Sequence, residues 1–232
     1  MGFGSSAGAD EFLGMSWIAR VLPFIDQTPL WDQAIEDYNF NPVPFRAHRG
    51  MQTTVTTLGC PSDPAAGQVQ WTHEGYLVAC TNYLGVNGTN FQARDGLFNA
   101  DQSIRLAEIA DGQSNTLLIG ERPPSLDFWY GWWYASGQGS ISTGDVTLGV
   151  AELNPSSNGI QSYLEDCPAG PYRYGSGRND QCDTLHFWSY HSAGGNFALA
   201  DGSVRMIPYE IADSTMQSLA TRNGGEVIAS EF

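Results

Sequence analysis

Residues 191–207 read HSAGGNFALADGSVRMI: a histidine, nine residues, then Asp-Gly. The His191 imidazole could ligate a metal, move a proton or anchor a loop, and the Asp201 carboxylate could act beside it. A plainer use is available. Asp-Gly makes a tight hairpin turn, and a single histidine is more often a hydrogen-bonding anchor than a ligand. His191, Asp201 and Gly202 are therefore read as a structural motif. FWYGWWY at 128–134 is the second unusual stretch. Strand alternation would put Phe128, Tyr130 and Trp132 on one side and Trp129, Gly131 and Trp133 on the other. One side must enter the core, and the other could stack on a sugar ring. Trp129, Trp132 and Trp133, joined by His186 and Trp188, are the candidate ligand-binding residues, against core packing as the simpler use.

Other residues could hold an ion or cleave a bond. ADGQSN with the nearby Glu121 offers oxygen ligands for calcium at Asp111, Asn115 and Glu121. The spacing is not that of an EF-hand loop, and an Asx turn explains the stretch as well. Glu74, Asp111, Glu121, Asp166 and Asp183 could supply a carboxylate pair for glycoside hydrolysis. GSGRN is not G-x-S-x-G, and HEGYL is not H-E-x-x-H because position 77 is Leu. No catalytic residue is assigned, and the chain is expected not to be an enzyme.

The four cysteines are Cys60, Cys80, Cys167 and Cys182, with no C-x-x-C among them. Three pairings are open. Cys60–Cys80 and Cys167–Cys182 are favoured because each closes a local loop; four free thiols are the alternative. The formal charge is −15, and all 10 basic residues are arginines. That balance cannot build the positive surface a nucleic acid needs, and an anionic membrane would repel it. Without lysine there is no lysine Schiff base.

The elements that must position these residues are short. Gly (27) and Pro (12) are frequent and aromatics reach 12%, which suits strands and turns better than a helix bundle. SWIARVLPFI is helical until Pro23, and TPLWDQAIEDY is a helix with Thr28 as cap. MQTTVTTLGC is strand-like, WTHEGYLVACTNYLGV holds one or two strands, and Thr116–Glu121 is a strand after a turn. LDFWYGWWYASG is a strand or strand pair. Gly137–Arg178 is expected to be a long surface excursion, and TLHFWSYH an alternating strand. With a two-residue turn at Asp201-Gly202, Leu199 faces Val204 and Phe197 faces Met206, so these four share one apolar face. Asp213 caps a last helix with Met216, Leu219 and Ala220 inward.

HSAGGNFALADGSVRMI resembles the C-terminal prepilin-type processing-associated motif, His-x(nine)-Asp-Gly. SWIARVLPFIDQTPLWDQ, GCPSDP, TNYLGVNGT, RLAEIADGQSNTLLIGERP, WYGWWYASG, GPYR, QCDTLHFWSYH and ATRNGGEV resemble the same bacterial prepilin-like family, in its usual order. Members open with a prepilin-like leader and a long hydrophobic helix. They are likened to type II secretion pseudopilins, are also filed under a solute-binding label, and have no known function. The resemblance implies an α+β pilin-like head with an antiparallel sheet, residues 1–14 being a flexible leader and 15–232 one globular head, with the membrane or filament helix absent. It also implies an exported protein anchored in the cell envelope with its head on the extracellular face. The membrane would be met only through that helix, and the partners would be pseudopilin-like subunits or a secreted or surface ligand. A solute- or glycan-binding head and a carboxylate hydrolase are the alternatives.

Overall fold

The Ser16 hydroxyl accepts a hydrogen bond from the Ala19 N–H and starts helix α1 (Trp17–Arg20). The chain then tightens into a 3-10 turn, Leu22–Phe24, that contains Pro23. In this computed structural model, residues 12, 14–45, 47–99, 102–136, 143–160 and 162–226 are described, so the expected leader lies almost wholly outside them. Helix α2 (Thr28–Phe40) carries Pro29 in its first turn, but Gln27 holds the cap position and Thr28 is already helical. Ala34 and Tyr38 are its buried residues.

Residues 49–58 form two 3-10 turns, Arg49–Gln52 and Thr56–Leu58, where a strand was expected. Met51, Val55 and Leu58 enter the core from them. Their spacing is helical, and it outweighs the β-branched threonines between them.

Strands β1 (Val69–Trp71) and β2 (Leu77–Ala79) pair as a small antiparallel hairpin. The main sheet uses β3 (Tyr83–Gly88), β4 (Leu117–Glu121), β5 (Thr147–Gly149), β8 (Gly194–Leu199) and β9 (Val204–Pro208). Its order is β5-β3-β4-β8-β9, antiparallel throughout except for the parallel β3–β5 pair. β6 (Ala151–Glu152) and β7 (Tyr172–Arg173) form a third, two-stranded sheet. The fold is α+β with few helices, as expected. No helix among the described residues is long and apolar enough to cross a membrane.

The sheet core unites Leu84, Val86, Leu117, Phe187, Phe197, Leu199 and Ile207 with Met216, Leu219 and Ala220 of α3 (Asp213–Ala220). The inward set of α3 is the expected one, although Ala212, not Asp213, holds its cap position. β4 is central, and Gly120 is required there: a Cβ would stand 2.3 Å from Phe197 Cε1 and 2.8 Å from Phe187 Cδ1. A second core joins α1 and α2 to Trp132, Trp133, Tyr134 and Val146.

The β8–β9 hairpin exists but is offset by one residue from the expected register. Phe197 faces Arg205, Asn196 faces Met206, and Leu199 N–H donates to Ser203 O at 2.8 Å. The loop is therefore three residues, Ala200-Asp201-Gly202, with Gly202 at φ 84°. Phe197, Leu199 and Ile207 are buried, while Val204 is 66% and Met206 52% exposed. The one-residue slip moved those two to the solvent face.

Three other expectations also fail. LDFWYGWWYASG is not a strand: Phe128 and Gly131 take positive φ, and consecutive Trp133 and Tyr134 are both fully buried. The 137–178 segment is not a surface excursion in its described part, because β5 enters the main sheet and Val146, Leu148, Val150 and Leu164 are buried; 137–142 and 161 lie outside the described residues. TLHFWSYH continues a 3-10 turn, Gln181–Leu185, and then runs irregularly with every residue from Thr184 to Ser189 buried, so it cannot alternate.

Candidate functional site

Cys60, Glu121 and His191 come from three distant segments and meet. One ligand atom from each lies within 4.8 Å of the other two. His191 Nε2 is 3.7 Å from Cys60 Sγ and 3.6 Å from Glu121 Oε1. His191 Nδ1 is 3.4 Å from Ser62 Oγ.

Each residue is held by its own segment. Cys60 opens the Cys60-Pro61-Ser62-Asp63 turn, in which Asp63 N–H donates to Cys60 O at 3.0 Å. Asn82 fixes that turn: its Oδ1 accepts from Cys60 N–H at 2.9 Å, and its Nδ2 donates to buried Asp63 at 2.6 Å. Glu121 ends β4 opposite Tyr83, and its carboxylate accepts from Asn196 N–H at 2.8 Å and from Asn196 Nδ2 at 3.3 Å. His191 follows a loop clasped by Tyr209, whose hydroxyl donates to Ser189 O at 3.0 Å and accepts from Ser189 N–H at 3.0 Å.

The electrostatics are those of a buried acid beside a thiol. The Glu121 side chain is 3% exposed, and His191 is its one ion-pair partner among the described residues. The neighbouring Arg122 side chain turns away to the carbonyls of Pro123 and Gly144. Burial pushes the Cys60 thiol up, and the Glu121 carboxylate adds to that push. Burial also raises Tyr83 to about 12, with Cys60 and Glu121 contributing. Carboxylate and thiol both lie at the same imidazole nitrogen, Nε2 of His191. The imidazole is 36% exposed, so the cluster opens to solvent on the His191 side.

A model of the family described as protein of unknown function (DUF1559), short name SBP_bac_10, matches residues 1–214. The chain belongs to the DUF1559 family. No curated protein and no solved structure matches it. In this DUF1559 chain, Cys60, Glu121 and His191 each fall in one of the blocks that carry the prepilin-like resemblance: GCPSDP, LLIGERP and HSAGGNF.

The other expected site residues are dispersed. Asp201 sits at the far end of β8 from His191, across about 17 Å of strand, and its Oδ1 accepts from Ser203 N–H and Oγ in an exposed turn. The two ends of the motif are separate, and Asp201 and Gly202 lie in a hairpin loop one residue longer than the expected turn. The calcium set does not assemble. Asp111 accepts from Gly224 and Gly225 N–H, and Asn115 Nδ2 faces Asp111 O. Glu121 stands at the other end of β4 from Asn115, a strand roughly 13 Å long. The five acids have different surroundings: Glu74 pairs with His73, Asp166 is exposed, and Asp183 pairs with buried His186 at 2.8 Å.

The pairing Cys167–Cys182 is present, but Cys60 and Cys80 are free thiols. Cys60 turns to His191, while the Cys80 backbone forms an isolated antiparallel β-bridge with that of Trp132. Among the aromatic candidates, Trp133 is fully buried and donates to Thr53 O, and Trp132 donates to Phe128 O. Trp188 and His186 are buried as well. Trp129 is the one left partly open, ringed by His73, Tyr76, Trp132 and Tyr163. All three members of the Cys60 cluster stand out in the sequence, each for a different use, and no local spacing joins them.

Proposed function

We propose that this chain is the head of an exported, membrane-anchored, pseudopilin-like subunit of the cell envelope, and that the head binds or assembles and is not an enzyme. Family membership over residues 1–214 and the ordered prepilin-like blocks support this reading. The observation that carries the export half is the Cys167–Cys182 bridge, a bond that persists in oxidising compartments. The charge of −15 leaves contact with an anionic bilayer to an anchoring helix. His191 and Asp201 standing apart supports a scaffolding use of the His-x(nine)-Asp-Gly segment over a catalytic one. The test is fractionation of cells expressing the full-length natural gene, followed by protease treatment of intact cells. A head recovered with membranes, oxidised at Cys167–Cys182 and cleaved from outside is expected. A cytosolic, fully reduced head overturns the reading.

The second reading is solute or glycan binding at the Trp129 surface. Trp129 meets four rings in tilted or edge-to-face contacts and stays partly open, and Tyr163 beside it is 47% exposed, so aromatic surface is available to a ligand. Saccharide-induced quenching of tryptophan fluorescence that disappears in Trp129→Ala favours it; no quenching by any sugar class removes it.

A further inference from the structure

We propose that Cys60, Glu121 and His191 form a binding site for one divalent transition-metal ion of the zinc class, with a fourth position open to solvent or to an exogenous ligand. This inference does not depend on where the protein resides. The donor set is sulfur, nitrogen and oxygen, which suits a borderline-soft cation and not calcium. Bond lengths of roughly 2.3 Å to sulfur and roughly 2.0 Å to nitrogen or oxygen, at tetrahedral angles, place sulfur about 3.5 Å from nitrogen and nitrogen about 3.3 Å from oxygen. The observed separations are 3.7 and 3.6 Å, so an ion would draw sulfur and oxygen toward the imidazole nitrogen by a few tenths of an ångström, and sulfur and carboxylate already lie within 4.8 Å of each other.

The surroundings orient the donors as a metal site requires. Ser62 Oγ faces His191 Nδ1 and can accept its N–H, which leaves the Nε2 lone pair directed at Cys60 and Glu121. Asn196 holds the Glu121 carboxylate through its backbone and side-chain N–H groups, and Asn82 holds the Cys60 backbone. A cation there would neutralise a carboxylate that is 3% exposed and would favour the Cys60 thiolate over the thiol. Three protein ligands with a solvent-facing histidine leave one tetrahedral position free. Binding moves one proton: the Cys60 thiol loses it to solvent as the sulfur–metal bond forms.

The test uses the whole chain, treated with chelator under anaerobic conditions and without thiol reductant so that Cys167–Cys182 stays closed. Cobalt(II) is titrated first, then zinc(II). The expected result is one equivalent of cobalt, with a thiolate-to-cobalt charge-transfer band and intense visible bands of a tetrahedral ion, all removed by zinc. Cys60→Ser abolishes the charge-transfer band. His191→Gln and Glu121→Gln weaken binding more than Ser62→Ala, for which a loss of roughly 10–100-fold is expected for an orienting partner. In the unsubstituted protein, zinc slows alkylation of Cys60 by iodoacetamide, read by peptide mass, and leaves that of Cys80 unchanged. No metal uptake, a charge-transfer band that survives in Cys60→Ser, or uptake without protection of Cys60 overturns the proposal. Because the alkylation arm needs no substitution, a variant that fails to fold leaves the question decidable.

Discussion

Glu152 gives this fold a pH dependence of known sign. Its side chain is fully buried where β6 meets the 89–91 loop, and it accepts from Gly149 N–H at 2.7 Å, Phe91 N–H at 2.9 Å and Leu153 N–H at 3.0 Å. Burial outweighs those bonds and raises the carboxyl from 4.5 to about 7. The folded state therefore holds this proton more tightly than the unfolded chain does. Stability from Glu152 is fully present below about pH 4.5 and is lost as pH rises through about 7. At about 1.4 kcal/mol per pKa unit, the loss is about 3 kcal/mol. Glu152→Gln cannot ionise. Its amide must set an N–H against one of three backbone N–H groups, which lowers stability by about 1–3 kcal/mol at every pH. The slope, and not the level, is thus the readout. Urea denaturation followed by tryptophan fluorescence between pH 4.5 and 8 measures it, and other titrating groups cancel in the difference between the two proteins. Wild type should lose about 3 kcal/mol more than Glu152→Gln across that range. Parallel curves would refute the reasoning, because they would mean that the backbone donors, not burial, set the proton affinity.

Four more outcomes are expected. Val204→Thr and Met206→Thr should each change stability by less than about 0.5 kcal/mol, whereas Phe197→Ala should cost about 3–5 kcal/mol in urea denaturation; the reverse order would restore the two-residue turn. Gly120→Ala should destabilise by about 1–3 kcal/mol, since its Cβ would overlap Phe197 and Phe187, and a neutral result in thermal melting would mean that those rings can move. Replacing Cys167 and Cys182 together by Ser should cost about 3 kcal/mol for a bridge spanning 15 residues, again by urea denaturation. Metal affinity at Cys60 should tighten by about tenfold per pH unit while one thiol proton is displaced, because burial and the Glu121 carboxylate hold that proton on; isothermal titration at several pH values checks this.

What was legible in the sequence was local. Met216, Leu219 and Ala220 of α3, strand β4 and the Cys167–Cys182 loop each follow from spacing within one short segment. The β8–β9 hairpin was legible as a hairpin but not in register. Two- and three-residue loops both close on Asp-Gly, and both preserve alternation. The choice between Val204 and Ile207 as core residues falls to packing against Phe187 and α3. The aromatic run misled because alternation assumes a strand partner, whereas Trp133 and Tyr134 are buried together by α1, α2 and the 49–58 turns. Cys60, Glu121 and His191 were each visible, but their meeting depends on Asn82, Asn196 and Tyr209 from other segments, which no spacing rule connects.

The Trp17 indole donates to the Val146 carbonyl at 2.7 Å, across 129 positions of chain. α1 is one turn long and cannot persist alone in water. A ribosome must therefore carry the chain past Val146 before Trp17 meets the carbonyl to which it donates. Until then the core around Trp17, Ile18 and Leu22 lacks Val146 and stays incomplete, and its closure waits on distant pairings, the slow regime of folding. For a protein of this design, the interval between synthesis and closure is when holdase chaperones or an export apparatus would find an unfolded chain to grip.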